Sequence, residues 1–553
     1  MSNRFAENPI INITRSRFTQ NHQLKTTFNA GELIPIMVKE IIPGDTIKLE
    51  TSCVIRMSTP IKPVMDNAFI DIYFFFVPNR ITWEHWEEFQ GANKTGYWTQ
   101  QTEYTIPQTT APAETGWTKG TIADYMGIPT KVPGLSINSL PFRAYCQIGN
   151  DWFRDENLQS PTYINTDDST TTGTNGNNYI TDPITGGKPL PVAKPHDYFT
   201  SALPEPQKGP DVTLPLGTTA PVTTGAVRDV TNNAALTWAT INGSSITRGE
   251  NRSIYGWSES GIANNLLHTY AAPTNDTSLG GGTMVIPANL YANLEDATAA
   301  TINNLRQAFQ LQKMFEKDAR GGTRYTEILK NHFGVTASDA RLQRSEYLGG
   351  KRITINMTQV TQTSSTDSES PQGNTAAFSL TNAINASFTK SFEEHGYVIG
   401  VACVRTMHTY QQGLNKMFSR KTRTDFYMPV FANIGEQPIL NKEIYAQGNS
   451  QDNEVFGYQE AWADYRYTPN QVTGEFRSNV AENAGLSIWH YADDFKSLPT
   501  LGSDFIKETK ENIDRTLAVQ SSVSDQFLAD FYFKEIDTRP MPVYSIPGLI
   551  DHH

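Results

Sequence analysis

Charged residues are scarce in this 553-residue chain, and cysteines are scarcer still. Asp, Glu, Lys and Arg make up 18% of the residues, against roughly a quarter in a typical globular protein. The three cysteines, Cys53, Cys146 and Cys403, lie far apart and are odd in number. These counts argue against a disulfide framework and against a paired-cysteine metal site, and they favour a reducing compartment.

Long apolar segments are also absent. The longest apolar run, at residues 68–78, is interrupted by Asp71 and is too short to cross a bilayer. The N-terminus lacks the apolar region of a signal peptide. We therefore expect a soluble protein that is made in the cytoplasm.

The sequence contains no strong catalytic motif. It has no HExxH, no EF-hand loop and no Walker A pattern. The nearest approach to a nucleophile elbow is GWSESG (256–261), in which Ser260 stands where the second glycine belongs. The sequence predicts a protein that is not an enzyme and has no cofactor or metal. A metal shared between subunits stays open, because no single-chain pattern would reveal it.

Uncharged polar residues fill the composition. Thr, Asn, Ser and Gln are abundant and accompany 39 Gly and 31 Pro, which indicates long loops stabilised by amide and hydroxyl side chains. Aromatic residues, at 11%, are sufficient for a real core. The net charge of −12 argues against a nucleic-acid-binding surface over the whole molecule, although it allows a local basic patch.

Alternating hydrophobicity predicts a mainly β fold. In residues 46–57, TIKLETSCVIRM, apolar and polar side chains alternate with period two. Residues 32–41 and 68–77 are more fully apolar, as expected for strands deep in a sandwich. Further strands are predicted at 396–406, 425–431 and 529–536. Because strands occur near both ends of the chain, one β-sandwich with large insertions explains them better than tandem domains do.

Helical patterns occur in the inserted material, at 81–90, 140–158, 301–320 and 324–334. The stretch EKDARGGTRYTEIL (316–329) places two glycines between the last two helices. A helix precedes these glycines, whereas a strand precedes the glycines of a phosphate loop. We therefore interpret Gly321 as a left-handed C-cap and Thr323 as the next N-cap, which makes the stretch a joint.

Two basic segments are candidates for contact with nucleic acid. Residues 1–30 read as an extended arm that carries Arg4, Arg15, Arg17 and Lys25. The segment KMFSRKTRTDF (416–426) combines two phenylalanines with a cluster of cations, which are Lys416, Arg420, Lys421 and Arg423. Phosphate contacts together with aromatic stacking hold single strands without sequence preference. The alternatives for the second cluster are a solvated face and a salt-bridge patch between subunits.

Residues 209–285 differ in composition from the rest of the chain. They are rich in Thr, Gly, Asn and Ser and have few charges. An excursion of this length without helix is usually functional. Its aromatic residues Trp238, Tyr255 and Trp257 are candidate contacts for an external partner.

Long stretches of the chain resemble the major capsid protein of the gokushovirus branch of the Microviridae, which are small single-stranded DNA phages. The resemblance is carried by residues 197–210, 305–350, 391–406, 459–478 and 538–553. It implies an eight-stranded antiparallel jelly roll, made of two four-stranded sheets, with long loop and helical insertions. It also implies sixty copies in a T = 1 icosahedral shell around circular single-stranded DNA.

The resemblance further implies a division of the chain and a set of partners. The arm would be 1–30, the jelly-roll core 31–208 and 286–553, and the insertion 209–285 a threefold protrusion for host attachment. The partners would be further copies of the chain, the DNA genome, a small basic DNA-binding protein, a minor pilot protein and a bacterial surface receptor. The protein would be assembled in the host bacterial cytoplasm and would reside in the virion.

The residues themselves leave a second function open. A carbohydrate-binding β-sandwich protein or a glycoside hydrolase could stack sugars on Trp238, Tyr255 and Trp257. Hydrolysis would require two carboxyl groups at a suitable separation in a cleft.

Overall fold

A computed structural model describes most of the chain. The described residues are 13–92, 102–210, 212, 222–224, 238–240, 252–258, 267–273, 283–287, 290–292, 302–322, 324–366, 371–480 and 485–544. The chain divides into two compact units, Met1–Lys208 with Glu316–His553 and Gly209–Phe315. Among the described residues, no helix is long and apolar enough to cross a membrane.

The described strands account for most of the regular structure. In chain order they are β1 (Ser16–Thr19), β2 (His22–Phe28), β3 (Glu32–Ile41), β4 (Thr46–Met57), β5 (Ala68–Pro78), β6 (Gln108–Thr110), β7 (Ser136–Asn138), β8 (Thr171–Thr172), β9 (Leu190–Pro191), β10 (Val222–Thr224), β11 (Trp238–Thr240), β12 (Arg252–Ser258), β13 (Leu267–Pro273), β14 (Thr283–Pro287), β15 (Leu290–Ala292), β16 (Glu346–Thr354), β17 (Met357–Thr361), β18 (Thr375–Ser379), β19 (Thr381–Ser391), β20 (Gly396–Thr406), β21 (Glu436–Leu440), β22 (Val455–Glu460) and β23 (Phe527–Arg539).

The described α-helices are mostly short. They are α1 (Asn79–Thr82), α2 (Trp86–Phe89), α3 (Ile122–Tyr125), α4 (Leu140–Ile148), α5 (Ile302–Gly321), α6 (Tyr325–Phe333), α7 (Asn441–Ile444), α8 (Ser503–Ile506) and α9 (Glu511–Asp514).

The larger unit contains two main antiparallel sheets. In the first sheet the order is β1–β23–β4–β19, and β2 also pairs with β23. In the second sheet the order is β16–β5–β20–β3–β9. A mainly β fold is therefore confirmed. Within the predicted arm, β1 and β2 are sheet strands, and Phe28 is fully buried.

The first sheet buries one face and exposes the other. In β4, the predicted period-two alternation is confirmed, because Ile47, Leu49 and Ile55 are fully buried while Val54 is 41% exposed. Strand β23 alternates in the same way, with Phe531 and Phe533 on the buried side. Antiparallel partners on neighbouring strands share a face, so the buried side chains form one continuous apolar layer.

The two sheets share one hydrophobic core, as a sandwich requires. The layer from the first sheet meets side chains of β5 and β20, including Ile72, Phe74 and Val398. Each of these side chains is at most 1% exposed. Burial of these apolar side chains between the two sheets is the main source of stability of the larger unit.

The second sheet is buried on its other face as well. In β20, Val398, Ala402 and Val404 belong to the shared core, while Ile399 and Cys403 point into a second cluster. That second cluster is completed by residues of the 79–192 segment, among them those of α4. Because both faces of the second sheet are buried, its strands have nearly continuous apolar sequences. Those sequences are the basis for predicting strands deep in a sandwich.

Asp71 interrupts the apolar sequence of β5 and is fully buried. Its carboxylate accepts two hydrogen bonds from Arg352, at 2.6 and 2.9 Å, and further bonds from Arg405. Burial by itself would raise the pKa of Asp71, but the bonds and charges of the two arginines outweigh it and hold the pKa below its ordinary value. The charge is tolerated in the sheet because β16 and β20 supply its counter-ions.

The smaller unit, Gly209–Phe315, contains a four-stranded antiparallel sheet of order β11–β14–β13–β12, and the pair β10–β15. It extends about thirty residues beyond the end that the sequence predicted for the insertion, position 285, and takes in the first part of α5. The division of the chain into arm, core and protrusion stays a prediction.

The predicted strand at 425–431 is wrong. Short 3-10 helices occupy Arg423–Asp425 and Pro429–Phe431 instead. Pro429 has no N–H for a sheet ladder, and its fixed φ suits the first position of a turn. The predicted helix at 140–158 is also shorter, since α4 passes into one π-helical turn, Gly149–Phe153, and then ends.

The double-glycine joint is confirmed, with its caps shifted. Gly321 is the last residue of α5, and Gly322 is the glycine with a left-handed φ of 92°. Thr323 lies outside the described residues. The N-cap of α6 is Arg324, whose N–H donates to the carboxylate of Glu327 at 3.1 Å.

The alternation in β4 allows a matched test of the shared core. We expect Leu49→Ala to lower the free energy of unfolding by about 2–5 kcal/mol, since it leaves a cavity between the sheets. Val54→Ala, on the exposed face of the same strand, should cost less than ~0.5 kcal/mol. Urea unfolding of unassembled protein measures both. Equal destabilisation by the two variants would contradict the assigned faces.

Candidate interaction surfaces

The basic cluster at 416–423 is partly neutralised within the chain. Arg420 forms an ion pair with Asp464 and lies over the ring of Tyr465, at 4.2 Å from its centroid. Lys416 donates to the carbonyl oxygen of Pro438 at 3.2 Å and lies 3.8 Å from the Glu443 carboxylate. Lys421 and Arg423 are exposed. Only half of this cluster is therefore available for phosphate.

Exposed apolar side chains surround this cluster. We call them the apolar patch; each is at least 45% exposed, and they are Met417, Phe418, Phe426, Tyr427, Val430 and Ile434. They lie on 3-10 turns and irregular backbone, and the described part of the unit leaves them exposed. Contiguous apolar patches on soluble proteins usually mark a contact with another macromolecule.

The N-terminal basic residues fall on the first sheet. Arg17 lies in β1 opposite Thr538, and Lys25 lies in β2 opposite Asp530, at 3.9 Å from its carboxylate. Arg15 and Arg17 are exposed and have no side-chain partner among the described residues. Arg4 lies outside the described residues.

Strand pairing brings further cations beside them, which the sequence reasoning missed. On the exposed side of β4 and β23, the register places Arg56 opposite Leu528, Lys534 opposite Glu50 and Lys48 opposite Ile536. We call this solvent-facing side of the first sheet the outer face. The alternation at 46–57 could have revealed the orientation of Lys48 and Arg56, but only the pairing shows that they share a surface with Arg17 and Lys25.

The candidate host-contact residues lie in strands of the smaller unit. Trp238 begins β11, and Tyr255 and Trp257 occupy alternate positions of β12. The latter two pair with Tyr270 and His268 of β13. Their role in attachment stays a prediction.

A buried ionic cluster was not anticipated. The imidazole of His408 bridges Asp493, at 2.7 Å from Nδ1, and Glu508, at 2.9 Å from Nε2. Lys194 and Asn512 contact the other oxygen of Asp493 at 3.4 and 3.1 Å. The His408 side chain is 1% exposed, so the arrangement has no solvent access and serves to join the end of β20 to the 490–512 segment.

The protonation state of the cluster follows from its geometry. Burial lowers the pKa of His408, but the charges of Asp493 and Glu508 outweigh it and raise the pKa to about 9. The pKa of Asp493 is correspondingly held below its ordinary range despite burial. At neutral pH an imidazolium thus donates to two carboxylates, which is a structural use of residue types that often mark catalysis.

The arginines of the double-glycine joint brace their own chain. Arg320 donates from Nε to Glu436 at 3.0 Å. Arg324 pairs with Glu156 at 2.7 Å and donates to the carbonyl oxygens of Asn150 and Arg154 at 3.0 and 2.9 Å. The joint is therefore a packing element. Within the described part of the chain, no group of three or more His, Cys, Asp or Glu residues is arranged to hold a metal ion.

Comparison with known proteins gives consistent matches along the whole chain. A family model described as "Capsid protein (F protein)" matches residues 6–549. Capsid protein VP1 of Bdellovibrio phage phiMH2K is 44% identical, covering 98% of this chain and 97% of the relative. Capsid protein VP1 of Spiroplasma virus 4 is 46% identical, covering 97% and 96%. Capsid protein VP1 of Chlamydia phage 1 is 41% identical, covering 99% and 98%.

The His408 cluster predicts a specific pH dependence of stability. His408→Gln should lower the free energy of unfolding at pH 6 by about 3–5 kcal/mol, because two buried carboxylates lose the imidazolium between them and Lys194 remains beside Asp493 alone. The histidine pKa is higher in the folded state, at about 9, than in the unfolded state, at about 6.5. The stabilisation is therefore complete below about pH 6.5 and is lost as pH rises through about 9.

Denaturant unfolding between pH 6 and 10 measures this difference. The gap between the wild-type protein and His408→Gln should shrink over that range. His196→Gln, at an exposed position, provides the control and should match the wild type throughout. A gap that stayed constant with pH would mean that His408 is not protonated in the folded protein.

Proposed function

The chain belongs to the phage capsid protein (F protein) family, and from that membership we propose the architecture of its shell and its contacts. It is a structural protein of the virion, not an enzyme, and it assembles with copies of itself into a shell. We propose that sixty copies form a T = 1 icosahedral shell that encloses circular single-stranded DNA. The insertion would form the threefold protrusion that attaches to a host receptor.

Self-assembly is supported by one feature above all, the apolar patch. Its side chains, such as Phe418 and Val430, are 68% and 80% exposed in the isolated chain. Leaving such groups in water is unfavourable, and the cost is removed when a neighbouring copy covers them. The partial neutralisation of Lys416 and Arg420 within the chain favours the reading of this region as a contact between subunits.

An eight-stranded jelly roll is the finer fold that we propose. The first sheet contains β23, β4 and β19, and its edge position is shared by β1 and β2, which both pair with β23. The second sheet contains β16, β5, β20 and β3. Counting that shared edge as one strand gives four strands in each sheet. The common core between them supports a face-to-face arrangement.

The remaining partners rest on the family resemblance. A small basic DNA-binding protein would complement an acidic shell chain with a net charge of −12, and a minor pilot protein would complete the virion. The candidate cations for the genome are Arg4, Arg15, Arg17, Lys25, Lys416, Arg420, Lys421 and Arg423. Trp238, Tyr255 and Trp257 are the candidates for the receptor.

Removing two side chains of the apolar patch should prevent assembly without unfolding the subunit. We expect Phe418→Ser with Val430→Ser to give folded, unassembled protein, since both side chains are exposed in the single chain. Electron microscopy and sedimentation velocity measure shell yield. Met65→Ser with Val523→Ser removes comparably exposed apolar groups elsewhere and serves as control. Normal shells from the patch variant would refute the assigned contact.

Replacing residues 212–284 by a short Gly/Ser linker tests the attachment role. The core should fold and assemble, because the whole of this segment lies in a separate compact unit. Particles should then fail to adsorb to cells that wild-type particles bind. Trp257→Ala alone should reduce adsorption while shell yield stays unchanged. Complete loss of soluble protein on replacement, or undiminished adsorption, would contradict the proposal.

A further inference from the structure

In the part of the chain that the structure describes, the first sheet exposes most of one face, whereas the second sheet is covered on both faces. Among the described residues, the second sheet is enclosed by the shared core on one side and by the 79–192 segment on the other. The outer face of the first sheet instead presents β1, β2, β23, β4 and β19 to solvent. The side chains on such an exposed sheet face must be suited either to water or to a binding partner.

The charge of the outer face is opposite in sign to that of the chain. Its cationic side chains are Arg17, Lys25, Lys48, Arg56 and Lys534. Among the described residues of its strands, the carboxylates on this face are Glu50 and Asp530. The chain as a whole carries −12, so positive charge is concentrated here. A local basic surface on an acidic protein is the electrostatic footprint of a polyanion partner.

The carboxylates of the outer face are already engaged, while its arginines are not. Glu50 accepts from Lys48 at 3.1 Å and from Lys534 at 3.2 Å. Asp530 accepts from Gln23 at 3.0 Å and has Lys25 within 3.9 Å. Arg17 and Arg56 are exposed and have no side-chain partner among the described residues. Their guanidinium groups are therefore available for phosphate oxygens.

One end of the outer face deepens into a groove of about 660 Å³. Its floor is formed by β2, β4 and β23, and its wall by the segment from Lys119 to Tyr125. Lys25, Arg56 and Lys119 line it, and the Asp124 carboxylate there accepts from the N–H of Gly120 at 2.7 Å. The volume lies within the roughly 300–1,000 Å³ of typical ligand sites.

The remaining side chains of the outer face suit a single strand better than a duplex. Tyr532 is 41% exposed and offers a ring to an unpaired base. Around it lie short polar groups such as Gln23 and Ser52, which can donate to backbone or base atoms without reading one sequence. We propose that the outer face, with its groove, is a binding surface for single-stranded nucleic acid in which Arg17, Arg56 and Lys534 contact phosphates and Tyr532 stacks on a base.

This inference rests on the proposed function, in which the chain encloses single-stranded DNA, and it names the surface that does so. It assigns three residues that the sequence did not suggest, Arg56, Lys534 and Tyr532. The outer face is less suited to binding a second copy of the chain than to binding nucleic acid. The apolar patch exposes six large apolar side chains, whereas the large exposed apolar groups of the outer face are Val54, Leu528 and Tyr532, set among cations.

A charge-matched pair of triple variants tests the surface. The first is Arg17→Gln, Arg56→Gln and Lys534→Gln. The second is Lys131→Gln, Arg341→Gln and Lys496→Gln, three exposed cations that lie outside the first sheet and are not among the candidate DNA contacts. Fluorescence anisotropy with a labelled oligodeoxythymidylate, over a series of NaCl concentrations, measures the affinity of full-length unassembled protein and its salt dependence.

We expect the outer-face variant to bind about tenfold or more weakly than the wild type. The slope of log K against log[salt] should also become less negative by about 2, which is ~0.7 for each lost phosphate contact. The second variant should bind as the wild type does. Tyr532→Leu should lose roughly tenfold with an unchanged slope, because stacking releases no counter-ions. Equal loss in both triple variants, or no loss in the first, overturns the assignment.

Photo-cross-linking covers the case in which the triple variant fails to fold. Wild-type shells carrying 5-iododeoxyuridine-substituted DNA should cross-link within β4 or β23, with Tyr532 as the expected site. Cross-links confined to other peptides overturn the surface. Strong protection of β4 and β23 amides in DNA-free shells, relative to unassembled protein, would assign the face to a second copy instead.

The results separate this inference from the proposed function. If the wild type binds and packages DNA while the outer-face variants are unaffected, only the surface is wrong. If wild-type shells form but never contain DNA, the enclosure of DNA fails, and the surface fails with it. If the outer-face variant still forms shells but with reduced DNA content, both stand.

Discussion

Burial of the second sheet on both faces is the constraint on which the larger unit depends. Strand β20 lies at its centre, and its successive side chains point alternately into two apolar clusters. A strand of this kind cannot expose either face without a large loss of apolar burial. The first sheet must therefore cover one side and the 79–192 segment the other. Among the described residues, nothing comparable to the 79–192 segment packs on the first sheet, and its outer face stays exposed.

Two of the buried charged groups in this arrangement each have two oppositely charged partners. Asp71 lies between Arg352 and Arg405, and His408 lies between Asp493 and Glu508. Each group connects segments that are distant in sequence. Such pairs contribute less net stability than their Coulomb attraction suggests, because desolvation opposes it. Their effect is to fix which segments meet, since a misplaced partner would leave a buried charge unpaired.

Function in this family member is carried by surfaces, and the two candidate surfaces differ in chemistry. The apolar patch lies on 3-10 turns, where irregular backbone exposes large side chains such as Phe418 and Val430. The outer face lies on regular strands, where period-two geometry separates the core from an array of cations such as Arg17 and Arg56. A shell chain needs both kinds of contact, with its own copies and with its contents.

The sequence by itself determined the elements whose signal is local. Alternation predicted β4 over Thr46–Met57, continuous apolarity predicted β20 over Gly396–Thr406, and the helical period predicted α5 to within one residue at each end. These patterns reflect which face of one element is buried. The prediction failed at 425–431, where Pro429 has no N–H for a sheet ladder and 3-10 turns form instead of a strand.

Only the tertiary structure decided which distant residues act together. Arg17, Arg56 and Lys534 are separated by tens to hundreds of positions, and the register of β1, β4 and β23 brings them onto one face. The cations at 416–423 are adjacent in sequence, but only folding shows that Arg420 pairs with Asp464. Local pattern records burial, whereas shared surfaces and ion pairs depend on strand pairing, which single-sequence periodicity does not contain.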